Sequence, residues 1–270
     1  PVIVIWSSID MRVIARIEDS GHSSGLPLLA FNTQGNLLAS TGMDSCNTLV
    51  LHDWTNNIEI MRTATDKGKI FCLAFLSNPT HSEEGAIGGD DGESRGGKNV
   101  VDTVVTGGNK HLSFWYNNGN NVKTQHGIWG KYKPEAMETG PTILSVVSPP
   151  NLPNVCITGS AVGAIVIWES YRAAFQAKKG HQLRCGIAYP HKSPIFSMWA
   201  VDGKIEEINE HADSSSREEA IAGYTDSCRI ITGDRDGVVA IWRLVAVSKI
   251  NQGVSEQEGS LRLVLMKTLS

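Results

Sequence analysis

A short phrase recurs four times along this chain, and it constrains the fold more than any other feature of the sequence. Each copy is an apolar, strand-like run that ends at a tryptophan, and the four are Trp6, Trp115, Trp168 and Trp242. Three copies follow a second matched phrase, built on Thr-Gly, at residues 105–108, 157–160 and 231–234. Self-similarity of short strands at a period of roughly 40 to 60 residues is typical of propellers and solenoids. The repeat therefore predicts partner binding rather than catalysis.

The order of strands and turns within one repeat predicts a propeller blade. In the most complete repeat, apolar runs at 26–31 and 36–42 flank an Asn-x-x-Gly turn, which is a hairpin signal. Two further strands follow, so the repeat forms four antiparallel strands, and we predict an all-β, partial propeller of about four and a half blades. The expected units are a half blade at 1–20, blades at 21–66, 67–136, 137–188 and 189–270, and loop insertions at 78–99 and 206–227.

Composition narrows the classes of partner. The 24 basic and 28 acidic side chains give a net charge of −4, which lacks the basic excess of a general nucleic-acid binder. No apolar run approaches the roughly 20 residues that span a bilayer, so neither nucleic acid nor membrane is expected as a partner. The five cysteines are widely spaced and predict reduced thiols in an intracellular protein. Because the chain begins inside a strand pattern, we expect the rest of a longer chain to complete the propeller.

One set of polar residues has the spacing of a structural network. His191, Thr232, Asp236 and Trp242 belong to the last repeat, and the Asp precedes the Trp by six residues. This set resembles the tetrad of the WD40 repeat, and the resemblance implies that Asp, His and Thr bridge to the indole N–H and lock the strands of the blade. The other repeats depart from this pattern. We predict no catalytic residue, cofactor site or metal site, because no clustered set of His, Asp and Ser has the spacing of a catalytic triad.

A longer match points to a narrower family. Residues 104–115 and the segment Lys-Thr-Gln-His-Gly-Ile-Trp-Gly-Lys at 123–131 resemble the propeller region of the echinoderm microtubule-associated protein-like (EML) family. Residues 157–169 resemble the next blade of that family. The resemblance implies a non-catalytic scaffold, cytoplasmic and cytoskeletal, that binds tubulin or microtubule-associated proteins through its propeller faces. The alternatives are a WD40 adaptor of another complex, of a ciliary or ubiquitin-ligase type, and a propeller-fold hydrolase.

Two groups of residues are weak candidates for the partner surface. Basic side chains concentrate around the predicted outer strand of one blade, where an acidic partner could bind, although lysine and arginine also protect ordinary edge strands. Two aromatic residues on the connection after another predicted blade, 67–136, could form an interface hot spot or pack beneath the next blade. The candidates are Arg172, Lys178, Lys179, Arg184, Trp129 and Tyr132.

Overall fold

The structure is a computed structural model, and its described residues form five antiparallel-rich sheets. The described residues are 1–65, 67–77, 102–117, 122–127, 140–150, 152, 155–169, 182–188, 191–203, 206–209, 227–248 and 259–269. Within them, nineteen strands are present and no helix is long and apolar enough to cross a membrane. We name the five sheets blades A to E in chain order. Blade A has two strands and the other four have at least four each.

The strands follow one another along the chain in the order of the blades. Blade A contains β1 (Ile3–Trp6) and β2 (Val13–Ile17); blade B contains β3 (Leu28–Phe31), β4 (Leu37–Thr41), β5 (Leu49–Asp53) and β6 (Ile58–Thr63); blade C contains β7 (Ile70–Phe75), β8 (Thr103–Gly108), β9 (His111–Asn117) and β10 (Val122–His126); blade D contains β11 (Ile143–Val147), β12 (Val155–Ser160), β13 (Ile165–Glu169) and β14 (Gln182–Ala188); blade E contains β15 (Ile195–Val201), β16 (Glu206–Asn209), β17 (Arg229–Asp234), β18 (Val239–Ser248) and β19 (Gly259–Leu269).

Burial along each strand explains why these sequences form blades. In β1, Ile3 and Ile5 are buried whereas Val4 and Trp6 are exposed, which is the period of two expected when only one face of a strand is covered. In β13, the first four residues are all buried, because blade D has a neighbour on each face. The apolar runs that end at tryptophan are therefore the strands that blades use to stack on one another.

Blade E contains a strand that the sequence analysis did not predict. The range 206–227 was predicted to be a loop insertion, but its first four residues form β16, which pairs in parallel with the end of β18. The physical reason is the length of β18, which has ten residues. The neighbouring strand β17 pairs only with the first five of them, 239–243. The remaining edge of β18 is free to accept β16, while β19 pairs with the opposite edge. The insertion thus begins with a strand that extends the sheet.

Consecutive blades are joined by apolar seams. Each seam buries residues from the second face of one blade against the first face of the next. Ten buried residues form the D/E seam, among them Ile157, Ile167, Ile230 and Trp242. Four form the A/B seam: Ile3, Ile5, Ile17 and Leu38. The core of the molecule is consequently divided into four seams rather than gathered in one centre.

The glycine of the recurring Thr-Gly phrase makes room for the next blade. A Cβ at Gly107 would lie 2.7 Å from Cγ2 of Ile143, and a Cβ at Gly159 would lie 2.7 Å from Cγ2 of Ile195. Both isoleucines start the first strand of the following blade. At Gly233 in blade E, the nearest atom to such a Cβ is the Oγ of Ser197 in the same blade. This face of blade E is therefore not covered by another blade among the described residues.

Candidate functional site

The most complete polar network lies in blade E, where it joins β17 and β18 to the segment that precedes β15. The ring of His191 forms hydrogen bonds of 2.8 Å to Thr232 Oγ1 through Nε2 and to Asp234 Oδ2 through Nδ1. The indole of Trp242 donates to the same Thr232 Oγ1 over 3.0 Å. His191, Thr232 and Trp242 are all buried. Thr232 sits on β17 opposite Ala240, and the indole reaches it from the adjacent strand, β18.

The carboxylate of this network is Asp234, so the prediction of Asp236 was wrong. The side chain of Asp236 is 58% exposed and lies 3.4 Å from Arg235, whereas that of Asp234 is only 2% exposed. Asp234 Oδ1 also accepts the backbone N–H groups of Asp236 and Val238. Burial opposes its ionisation, but the bonds from His191 and these amides are stronger and hold the pKa of Asp234 below its usual value. Asp234 thus both ties the turn together and orients the histidine.

Blade C builds a shorter version of the network from a different histidine. Trp115 donates its indole N–H to Thr106 Oγ1 over 2.8 Å, and His111 Nε2 lies 2.8 Å from the same oxygen. The sequence analysis missed His111, which follows Thr106 by only five residues instead of preceding its blade. The signal that could have found it is its place at the start of β9, across the turn from the threonine.

Blade D retains the tryptophan and threonine alone. Trp168 donates to Thr158 Oγ1 over 2.8 Å, and the structure shows no histidine bonded to that hydroxyl among the described residues. Trp115 and Trp168 are buried in the seams with the preceding blades. Trp6, the remaining predicted blade tryptophan, occupies the same position on β1 but is 56% exposed. Among the strands that the structure describes, none pairs with β1 on the side from which the hydroxyl comes in the other blades.

Blade B replaces the tryptophan with histidine. His52 pairs with Leu38 across the sheet, as Trp242 pairs with Ile230 in blade E. His22 Nε2 forms a 2.8 Å hydrogen bond to Ser40 Oγ, which takes the place of the threonine. The Nδ1 atoms of His22 and His52 are both buried without a hydrogen-bond partner. Blade B therefore keeps the positions of the network but not its closure.

Burial governs the protonation of these two histidines. It lowers the pKa of His22, and the nearby Asp44 carboxylate opposes the effect only in part. It likewise lowers the pKa of His52, against the opposing charge of Glu59. The folded chain consequently favours both rings in their neutral form.

Chemically, these networks hold strands together. The hydroxyls of Ser40, Thr106, Thr158 and Thr232 are fully buried, so a substrate has no access to them. Burial raises the pKa of Cys72 to about 12 and that of Cys228 to about 11, which keeps both thiols protonated. Within the described ranges, no three His, Cys, Asp or Glu side chains are placed to hold a metal ion.

The weak candidates for the partner surface lie almost entirely outside the described residues. This applies to Arg172, Lys178, Lys179, Trp129 and Tyr132. Arg184 falls within β14, although its side chain is not among those described. These six residues stay predictions.

Sequence comparison finds curated relatives, while no protein-family model matches the chain. Over 183 residues, or 67% of the chain, it is 24% identical to echinoderm microtubule-associated protein-like 4 of Xenopus laevis. Over 222 residues, or 80% of the chain, it is 23% identical to cilia- and flagella-associated protein 44 of Mus musculus. These matches span 17% and 10% of the two relatives, so the chain corresponds to a small part of each.

Comparison with solved structures shows the fold. A structure of U3-55K matches 90% of this chain and 54% of its own with a TM-score of 0.52 at 15% identity. The Cps50 (Swd1) β-propeller domain of Myceliophthora thermophila matches 99% of this chain and 64% of its own with a TM-score of 0.58 at 11% identity. The chain has the fold of a partial, all-β propeller of the WD40 type, as predicted from the sequence.

Proposed function

We propose that this chain is the propeller part of a non-catalytic, microtubule-associated scaffold that binds tubulin or cytoskeletal partners in the cytoplasm. The observation that carries the proposal is the sequence similarity to the microtubule-associated protein-like 4 of Xenopus, which extends over two thirds of the chain. The buried networks support a binding role, because they leave the polar chemistry of the blades committed to strand cohesion. A stable stack of blades presents its loops and edges to a protein partner.

The proposed contact involves the basic group that contains Lys178 and Lys179. Tubulin would have to meet this group through acidic side chains, since the whole chain carries a net charge of −4 and offers no general attraction to an acidic surface. Local charge complementarity mainly increases the rate and specificity of association, and salt screens it. Binding should therefore weaken as the salt concentration rises.

A second candidate is an adaptor in a ciliary assembly. The similarity to cilia- and flagella-associated protein 44 covers 80% of the chain, more than the similarity to the microtubule-associated relatives. In this case the propeller would bind proteins of the axoneme rather than tubulin itself.

Co-sedimentation with polymerised microtubules and size-exclusion chromatography with tubulin heterodimer test the proposal, each at low and high salt. We expect binding at low salt and a loss of about tenfold in affinity for the double variant Lys178→Glu/Lys179→Glu. The matched control is Lys123→Glu/Lys267→Glu, which makes the same charge change at two exposed lysines, one on β10 and one on β19, and should bind like the wild type.

The outcomes separate the two candidates. Absence of binding to both tubulin forms would contradict the first proposal. Binding to isolated axonemes by a chain that binds neither polymerised microtubules nor tubulin heterodimer would favour the ciliary adaptor. Equal loss of binding in both double variants would show that overall charge, and not the proposed basic group, controls the interaction.

A further inference from the structure

One end of blades C, D and E is built in the same way three times. At this end, the first strand of each blade begins beside the turn that precedes the tryptophan strand, which is β9, β13 or β18. A backbone hydrogen bond of 2.9 Å joins the turn to the strand start in every case. The donors and acceptors are Asn109 N–H and Lys69 C=O, Ala161 N–H and Thr142 C=O, and Arg235 N–H and Pro194 C=O.

The three ends also meet one another. Thr142 Oγ1 of blade D donates a 3.2 Å hydrogen bond to Asn109 Oδ1 of blade C. On the other side of blade D, a Cβ on Gly163 would overlap the carbonyl oxygen of His191, in the segment that enters blade E. The three turns and strand starts therefore form one continuous surface.

Basic side chains are concentrated on this surface, and we call it the basic end. They include the exposed residues Lys69, Lys110, Lys192 and Arg235. Among the described residues of the three turns and strand starts, the only exposed acidic side chain is that of Asp236, which lies 3.4 Å from Arg235. The chain as a whole carries a net charge of −4, so the local charge is opposite to its general balance. An acidic partner is therefore attracted to this end in particular.

Bulky apolar side chains lie among these charges. The second residue of the first strand is Phe71 in blade C, Leu144 in blade D and Phe196 in blade E. Each is the extra residue at a shift of register, which is the position of a β-bulge. Phe71 and Phe196 are 40% and 57% exposed, and Leu144 is half-buried. The bulge thus places the same kind of side chain at the same position in three consecutive blades.

A cavity at the junction of blades C and D gives the basic end a place for a carboxylate. Its volume is about 230 Å³, and Lys110, His111 and His126 are among the residues that line it. No acidic side chain is among the described residues of this lining. His126 is exposed, and a 2.9 Å hydrogen bond between its Nδ1 and Ser113 Oγ holds the ring in place. Ammonium and imidazole N–H groups are donors that bind carboxylates, so the cavity suits the side chain of an Asp or Glu.

We propose that the basic end binds an acidic peptide segment that also carries a bulky apolar side chain. One carboxylate of the segment enters the cavity beside Lys110 and His126, and another meets Lys69. The apolar side chain packs against Phe71 and Leu144. These apolar residues favour a peptide over a nucleic acid, which binds such a surface mainly through its phosphate charge. The inference goes beyond the function proposed above, because it requires no tubulin.

Short synthetic peptides test the two parts of this recognition. Fluorescence anisotropy at low salt would measure the affinity of the 270-residue chain for Glu-Glu-Leu-Glu-Glu, labelled with tetramethylrhodamine at its N-terminus and amidated at its C-terminus. We expect Gln-Gln-Leu-Gln-Gln to bind about tenfold more weakly, because it lacks the charge. We expect Glu-Glu-Ser-Glu-Glu to bind about fivefold more weakly, because it buries less apolar surface.

Two variants of the chain test where the acidic peptide binds. Lys110→Glu reverses a charge at the cavity, and we expect the affinity to fall about fivefold. The matched control is Lys123→Glu, an exposed lysine of the same blade, which pairs with Tyr116 near the opposite end of β9. Its affinity should stay within about twofold of the wild type, because salt screens charges that are far from the peptide.

Four results would overturn the proposal. The first is no binding of Glu-Glu-Leu-Glu-Glu, and the second is equal affinity for this peptide and either of its two analogues. The third is an equal loss in Lys110→Glu and Lys123→Glu, because overall charge would then control binding. The fourth is tighter, Lys110-dependent binding of a uridine oligonucleotide of the same charge, which would assign the basic end to nucleic acid. Lys178 and Lys179 are unchanged in both variants, so this proposal and tubulin binding can each fail alone.

Discussion

The A/B and D/E seams occupy equivalent positions in the stack, yet they are built from different residues. At the D/E seam, Trp242 and nine other buried residues pack together, and the indole is bonded to the closed network of His191, Thr232 and Asp234. At the A/B seam, four buried apolar residues meet beside His52, which stands in the tryptophan position. The fold of both seams therefore requires a buried side chain at the tryptophan position. The identity of that side chain and its hydrogen bonds determine how stable each seam is.

The largest expected effect is a loss of stability when the Thr232 hydroxyl is removed, and it should exceed the loss when the Ser40 hydroxyl is removed. Thr232→Val removes the partner of both His191 and Trp242 and leaves two buried polar groups unsatisfied. We expect a loss of about 3 kcal/mol in the free energy of unfolding, against about 1.5 kcal/mol for Ser40→Ala, which deprives only His22. Urea denaturation measures both values. Equal losses would contradict the difference between the closed and the open network.

Replacing the glycine of the Thr-Gly phrase with alanine distinguishes a blade face that packs against the next blade from one that does not. Gly159→Ala would place a methyl group 2.7 Å from Ile195 Cγ2 at the D/E seam, and we expect a loss of about 2 kcal/mol from overpacking. The matched variant Gly233→Ala meets only the Ser197 hydroxyl, which can rotate, so its cost should stay below about 1 kcal/mol. Thermal melts of the two variants provide the comparison. A larger effect at Gly233 would mean that another element covers blade E.

Exchange of one carboxylate at a time tests which aspartate belongs to the closed network. Asp234→Asn weakens the bonds to His191 and to two backbone amides, and we expect a clear decrease in the unfolding midpoint. Asp236→Asn alters an exposed side chain and should leave the midpoint almost unchanged. The reverse order of effects would restore Asp236 as the network residue.

The smallest expected effect is a pH dependence contributed by the A/B seam. Burial lowers the pKa of His22 and His52 in the folded chain, so the unfolded chain binds protons first as the pH falls. Stability is full above the unfolded pKa of about 6.5 and decreases below it. Urea midpoints at several pH values on both sides of this pKa should fall more steeply in the wild type than in His52→Phe. Parallel profiles would show that His52 does not titrate with unfolding.

Sequence patterns predicted the repeated strands well and the polar connections less well. The four tryptophan runs are all strands, because their alternation and length already describe a stacked sheet. Asp234 and Asp236 could not be told apart, since both lie in one tight turn whose backbone decides which side chain points inward. His111 escaped notice because it reaches its threonine from within the same hairpin.

The strand β16 could not be predicted for a different reason. It forms only because β18 extends beyond β17 and offers a free edge, which is a property of the tertiary arrangement and not of residues 206–209. The basic and aromatic surface candidates remain predictions. They were chosen from local charge and residue type, and a single sequence does not determine on which face of the propeller such residues lie.

Hydrogen–deuterium exchange of the intact chain compares the two seams directly in one sample. Amides open by local unfolding at rates that follow the stability of each cooperative unit. We predict the slowest exchange in β12, β13 and β17, which flank the D/E seam, and faster exchange in β1, β2 and β4 at the A/B seam. Protection of β1 and β2 equal to that of β17 in the isolated chain would contradict seams of unequal strength.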